Sequence, residues 1–106
     1  MMSKSYEMVF AIVNTGYSEE VMEAVKACGA TGGTVINARG TANLEAEKFF
    51  GLSISSEKEI VMIIVDKKIK EDVLKAIYEK VGLSSPGQGI AFSLPVDEAV
   101  GLGKNL

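Results

Sequence analysis

The sequence has no histidine and no tryptophan, and it has only one cysteine and two prolines in 106 residues. Without histidine, a site cannot use an imidazole as a general base or a metal ligand. The single Cys28 cannot form a disulfide within the chain or a cysteine-rich zinc site, so a reducing, cytoplasmic setting is expected. Arg39 is the one arginine beside ten lysines, which leaves few groups for bidentate binding of phosphate or carboxylate.

Excess positive charge and long apolar runs are also missing. Eleven Lys and Arg against fourteen Asp and Glu give a net charge of −3, which argues against nucleic-acid binding because a phosphate lattice attracts a basic face. No apolar run approaches the roughly 20 residues of a membrane span, and residues 1–6 lack the apolar core of a signal peptide. We therefore expect no nucleic-acid partner and no insertion into a membrane. With 47% hydrophobic and 24% charged residues, the chain is expected to form one domain over 1–106.

Strand-like and helix-like apolar patterns alternate along the chain. Runs of branched and aromatic residues predict strands at 6–14, 34–39, 59–66 and 90–94. Helical spacing predicts one helix from an N-cap at Ser18 to Gly29, and a second helix that Gly82 ends. The resulting βαββαβ order predicts the ferredoxin-like α+β sandwich, a four-stranded antiparallel sheet with two helices on one face.

The composition of each strand predicts its place in the sheet. The strands at 6–14 and 59–66 are apolar on both faces, so we expect them at the centre. The other two strands carry Asn37, Arg39 and Pro95, which suit an edge. Two helices cover only one face of such a sheet. The apolar residues of the second face therefore predict contact with further copies of the chain.

Two glycine-rich turns and the single arginine are the candidates for ligand binding. Gly87-Gln88-Gly89 either offers backbone amides to a phosphate or forms an ordinary turn between a helix and a strand. Gly32-Gly33-Thr34 has the same two interpretations. Arg39, at the end of a strand, is either a solvated cation or the fixed positive charge of a site.

The remaining reactive residues form no catalytic set. Cys28 is expected to pack as a small apolar residue, and Glu45 and Glu47 to be solvated. Asp97 and Glu98 lack the further ligands that a metal needs. No nucleophile, base and orienting group can be assembled from the sequence. The chemistry therefore favours binding over catalysis, and no catalytic or metal-ligating residue is predicted.

The order and spacing of several segments resemble the PII signal-transduction family. These segments are Gly32-Gly33-Thr34-Val35, Arg39-Gly40, the run 59–66, and the run 87–100 with its Pro95-Val96-Asp97-Glu98 tail. The resemblance implies a homotrimer of ferredoxin-like subunits that binds adenine nucleotides between subunits. It also implies a T-loop that docks onto enzymes, transporters or regulators. Here that connection is the shorter segment 41–58, which contains no tyrosine.

The resemblance also implies roles for individual residues. Thr34 and Gly40 would line the adenine side of the cleft, with Arg39 beside them, and Gly87, Gln88 and Gly89 would form the phosphate loop. In the connection, Phe49 and Phe50 would either contact a partner or pack back onto the subunit. The function implied is regulation of a partner enzyme or membrane transporter, as in the control of nitrogen utilisation.

Three basic residues of the family are replaced in this sequence. Ile90 stands where the family has a lysine, and Gly101 and Gly103 stand where it has two arginines. A charged hydrogen bond contributes about 1.5–3 kcal/mol, so losing three lowers affinity by roughly a thousandfold or more. The implied ligand is therefore AMP, ADP or another adenine nucleotide of low phosphate charge, or no nucleotide at all.

Two further hypotheses belong to other functional classes. One is a ferredoxin-like trimer of the divalent-cation tolerance type, which binds metal rather than nucleotide; the absence of histidine weakens it. The other is a small enzyme such as an isomerase, which the lack of a clear acid–base pair weakens.

Overall fold

A four-stranded antiparallel sheet carries two helices in the computed structural model, which describes residues 5–40 and 56–102. The elements are β1 (Tyr6–Asn14), α1 (Ser18–Ala27), β2 (Thr34–Gly40), β3 (Ser56–Asp66), a 3₁₀ turn (Lys67–Ile69), α2 (Lys70–Val81) and β4 (Ile90–Val96). This order confirms the predicted βαββαβ ferredoxin-like sandwich. No helix within the described ranges has the length and apolar character to cross a membrane.

The strand order β2-β3-β1-β4 places β1 and β3 at the centre, as their two-sided apolar composition predicts. β4 is longer than predicted, because it continues through Pro95 to Val96. Pro95 is tolerated because β4 pairs only with β1, so its missing N–H costs little on an edge strand. β2 occupies the opposite edge and also runs one residue further, to Gly40.

The two helices cover one face of the sheet, and the core lies between these layers. Alternate residues of β1 and β3 point toward the helices and are fully buried with apolar residues of α1 and α2. These core residues are Val9, Ala11, Val13, Val61, Ile63 and Val65 from the strands and Val21, Val25, Val73, Ile77 and Val81 from the helices. Cys28 packs against this cluster, as predicted.

The ends of the helices follow local chemistry, with one exception. Gly29 adopts φ +103 after α1, the left-handed conformation in which glycine commonly ends a helix. The predicted N-cap is wrong: α1 includes Ser18 as its first residue, and Tyr17 occupies the cap position without a side-chain hydrogen bond. Glu19 and Glu20 in the first turn still stabilise the N-terminus of α1, because negative charge there complements the helix dipole.

A continuous apolar surface lies on the other side of the sheet, which we call the outer sheet face. It comprises Met8, Phe10 and Ile12 of β1, Ile60, Met62 and Ile64 of β3, Ile36 of β2, and Ile90, Phe92 and Leu94 of β4. The rings of Phe10 and Phe92 stack with their centroids 5.2 Å apart. Phe92 remains 42% exposed and Leu94 52% exposed. The two-sided apolar pattern in the sequence thus corresponds to a surface that the helices of residues 5–40 and 56–102 do not cover.

Candidate functional site

One end of the sheet gathers most of the candidate residues. β1 ends there at Asn14, which pairs in register with Lys58 of β3. Lys58 in turn pairs with Ala38 of β2, and the next pair outward is Arg39 with Glu57. The loop that leads into β4 meets the same end, since the Asn14 N–H donates to the Gly87 carbonyl over 2.8 Å.

An open groove of about 420 Å³ lies where β2 and β3 reach this end. Its lining comprises Thr15, Asn37, Ala38, Arg39, Glu57 and Lys58. Alternation along the strands places Arg39 and Glu57 toward the helix layer, whereas Lys58 and Asn14 belong to the outer side. Arg39 is exposed and has no ion pair with the carboxylates of residues 5–40 and 56–102. A guanidinium in this position can bind a small anion.

The Gly87-Gln88-Gly89 segment is a tightly packed turn. A Cβ at position 89 would lie 2.5 Å from the Val81 carbonyl oxygen and 2.9 Å from Val13 Cγ1. A Cβ at position 87 would lie 3.1 Å from Val81 Cβ and 3.3 Å from Tyr17 Cγ, so the Tyr17 ring packs beside this turn. Between them Gln88 has φ +46, a left-handed conformation that is uncommon outside glycine. The packing of the subunit itself thus requires glycine at position 89 and favours it at position 87, whether or not a ligand binds.

Backbone amides of this turn are already engaged within the chain. The Gln88 N–H donates to the Ser85 carbonyl over 3.0 Å, and the Gly89 N–H donates to the Val81 carbonyl over 2.6 Å. A phosphate at the turn would have to compete with these two bonds. The fit to a highly charged phosphate chain is therefore poor at Gln88 and Gly89, and binding there would depend on other donors.

Thr34 lies apart from the other candidates. It pairs with Met62, level with the middle of β1, and it lines a second open groove of about 290 Å³ with Gly32, Gly33 and Leu102 among others. At about 3.3 Å per residue, five residues of strand separate Thr34 from Arg39 by about 16 Å. Arg39 is separated from the 87–89 turn by the widths of β3 and β1. One subunit therefore holds the six candidate residues at three separate positions.

Sequence reasoning missed a hydrogen-bond network that joins the groove at Arg39 to the turn at 87–89. Lys58 Nζ donates to Asn14 Oδ1 over 2.7 Å, and Asn14 Nδ2 donates to the Pro86 carbonyl over 2.9 Å. Its only signal in the sequence is a polar residue ending an apolar strand, and nothing local pairs that residue with Lys58.

Three further expectations concern the 41–58 connection, the family's basic positions and metal binding. Phe49, Phe50, Gly103 and most of the 41–58 connection lie outside the described residues. Gly101, at one of the family's basic positions, has φ +85 and cannot supply charge. Across residues 5–40 and 56–102, no three or more cysteines or carboxylates are placed to hold a metal ion.

Several solved structures are similar to this fold. Arabidopsis thaliana PII bound to citrate is 30% identical, with a TM-score of 0.67 over 88% of this chain and 78% of the other. A PII-like signalling protein from Thermus thermophilus is 19% identical, with a TM-score of 0.67 over 88% and 87% of the two chains. The GlnK–ATP complex of B. subtilis is also 19% identical, with a TM-score of 0.64 over 91% and 85%. The last two likenesses concern the fold alone.

The family profile described as Nitrogen regulatory protein P-II matches residues 6–104. No curated protein matches the sequence. The profile covers nearly the whole chain, and its match agrees with the sheet order and with the segments that resemble the PII family. The chain therefore belongs to the P-II family of nitrogen regulatory proteins.

Proposed function

We propose that this protein is a cytoplasmic homotrimeric regulator that binds an adenine nucleotide of low phosphate charge, AMP or ADP, between its subunits. Nucleotide binding alters the conformation of the 41–58 connection. This connection contacts a partner enzyme or membrane transporter through Phe49 and Phe50. The regulated process is the use of nitrogen, as the family's description suggests. Thr34, Arg39, Gly40, Gly87, Gln88 and Gly89 form the nucleotide site.

The separation of the candidate residues within one subunit carries this proposal. Thr34, Arg39 and the 87–89 turn lie too far apart to contact one small ligand in a single chain. A neighbouring subunit can bring one chain's residues against another's. The outer sheet face supplies an apolar surface for that association, since patches of this kind mark contacts between proteins. Closed symmetric assembly then repeats the same cleft in each copy.

The charge of the site supports a ligand with few phosphates. Gln88 and Gly89 use their amides within the turn, and Ile90 and Gly101 replace basic residues of the family. Arg39 remains as an exposed cation at the sheet end. Citrate in Arabidopsis PII and ATP in B. subtilis GlnK show that proteins of this fold bind small anions, which supports an anionic ligand here.

Calorimetry with AMP, ADP, ATP and a cyclic nucleotide tests the ligand. We expect AMP or ADP to bind more tightly than ATP. Arg39→Gln should weaken the tightest ligand by about ten- to a hundredfold, because a hydrogen bond to a charged group contributes about 1.5–3 kcal/mol.

Lys75→Gln is the matched control, because it removes one positive charge from a side chain that is 76% exposed on α2. It should leave the affinity unchanged. Tightest binding of ATP, or equal effects of the two substitutions, would contradict the proposed charge selectivity.

A further inference from the structure

Asn14 stands between two parts of the molecule and bonds to both. Its side-chain carbonyl accepts from Lys58 Nζ at 2.7 Å, and its side-chain amide donates to the Pro86 carbonyl at 2.9 Å. Its backbone N–H donates to the Gly87 carbonyl at 2.8 Å. The orientation of the amide is fixed by chemistry, because an ammonium group can only donate and a carbonyl can only accept.

The two groups that Asn14 joins belong to different structural segments. Lys58 is the third residue of β3, the strand that follows the 41–55 segment in the chain. Pro86 and Gly87 begin the turn that precedes β4. The bond to Lys58 is partly buried, so water competes with it less than with a surface contact. The position of the Lys58 ammonium and the position of the turn are therefore linked through one side chain.

We propose that Asn14 is a positioning residue that couples the Pro86–Gly89 turn to Lys58 at the start of β3. Ordering of the turn holds Asn14 in place, and Asn14 then holds the Lys58 ammonium. By reciprocity, loss of the ammonium loosens the turn. For the bound state the inference rests on the proposed function: a ligand that binds at the turn alters the position of Lys58 at the start of β3.

Amide hydrogen exchange of the full chain without ligand tests the coupling. The Gln88 and Gly89 amides donate to carbonyls of the same chain, so their exchange reports on opening of the turn. Lys58→Met should speed their exchange by about three- to tenfold, because the hydrogen bond from the ammonium to Asn14 is lost and only part of that loss reaches the turn through Asn14. Asn14→Ala should speed it at least as much. In the double variant, Lys58→Met should add nothing to Asn14→Ala.

A second variant and a control separate coupling from general destabilisation. Asn14→Asp keeps an acceptor for Lys58 but loses the donor to Pro86, so its turn should exchange as fast as in Asn14→Ala. Lys75→Met makes the same charge change as Lys58→Met on an exposed helix surface and should leave both amides unchanged. Unchanged exchange in Lys58→Met, or additive effects in the double variant, would overturn the proposal.

Titration with ADP examines the bound state separately. ADP should slow exchange of the two turn amides in the wild type, and the slowing should be smaller in Lys58→Met than in Lys75→Met. Absence of both AMP and ADP binding to the wild type counts against the proposed function, whereas the exchange cycle needs no ligand. The coupling therefore stands or falls on the ligand-free measurement.

Discussion

A Phe92→Asp variant is expected to elute with the mass of one 11.3 kDa chain, whereas the wild type should have about three times that mass. Phe92 lies on the outer sheet face, stacked on Phe10 and 42% exposed in the isolated subunit. Burying a carboxylate there on assembly costs several kcal/mol in each copy, and the apolar contact of the ring is lost as well. The measurement is light scattering during size-exclusion chromatography at micromolar concentration.

Two matched variants define what a result for Phe92→Asp means. Phe92→Leu keeps the surface apolar and should keep the wild-type mass. Tyr78→Asp introduces the same charge at a side chain that is 69% exposed on α2, in the layer opposite the outer sheet face, and should also keep it. If the wild type itself has the mass of one chain, or Phe92→Asp keeps the assembled mass, the outer sheet face is not the subunit contact.

Nucleotide binding should be lost together with assembly in Phe92→Asp. The substituted side chain belongs to none of the three candidate positions, so a subunit that held a complete site would still bind. Loss of binding without loss of folded structure, checked by circular dichroism, therefore supports a cleft built from two chains. Full affinity in the separated subunit would show that a single chain is sufficient.

Gly89→Ala is expected to lower the free energy of unfolding by about 2–4 kcal/mol, because added volume and a disturbed hydrogen bond act together. A Cβ at this position would lie 2.5 Å from the Val81 carbonyl oxygen, which is backbone and cannot rotate away. That same oxygen accepts the 2.6 Å hydrogen bond from the Gly89 amide. Relief of the clash therefore separates the turn from the end of α2. Urea unfolding at matched protein concentration measures the change.

Gly32→Ala is the control for the effect of adding a methyl group. Gly32 has no neighbouring atom within 4 Å of a built Cβ, and its φ lies outside the left-handed region. Its stability should stay within about 0.5 kcal/mol of the wild type, as surface substitutions usually do. Equal stability of Gly89→Ala and Gly32→Ala would show that the turn can move away from α2 at little cost.

The architecture could be predicted from the sequence because its determinants are local and periodic. β1 and β3 are apolar on both faces, which predicts that they lie at the centre of the sheet. It also predicts one apolar sheet face that the helices do not cover. Helix spacing and the glycines at 29 and 82 located the two helices. The N-cap predicted at Ser18 is wrong because hydroxyl chemistry alone does not determine which residue first adopts helical geometry. The sequence predicts that the strand ends at Pro95, whereas β4 continues to Val96 because an edge strand of the sheet tolerates the missing N–H.

The candidate site was less accessible to such reasoning. The sequence indicates a turn at the glycines 87 and 89, but the Val81 carbonyl that accepts from the Gly89 amide belongs to α2 and has no sequence signal near the turn. The resemblance to the PII family implies that Thr34 and Arg39 belong to one site, although the length of β2 separates them within a single subunit. Lys58 and Asn14 are 44 residues apart in sequence, so only the pairing of β1 with β3 brings them together.

The contact between Tyr17 and the Gly87 turn has a practical consequence for spectroscopy. The chain contains three tyrosines and no tryptophan, so emission excited at wavelengths that phenylalanine does not absorb comes from tyrosine alone. Tyr17 packs beside Gly87 and against the core, whereas Tyr6 begins β1 and Tyr78 is exposed on α2. With phenylalanine in place of Tyr6 and Tyr78, the remaining fluorophore would follow this part of the protein optically, without a dye.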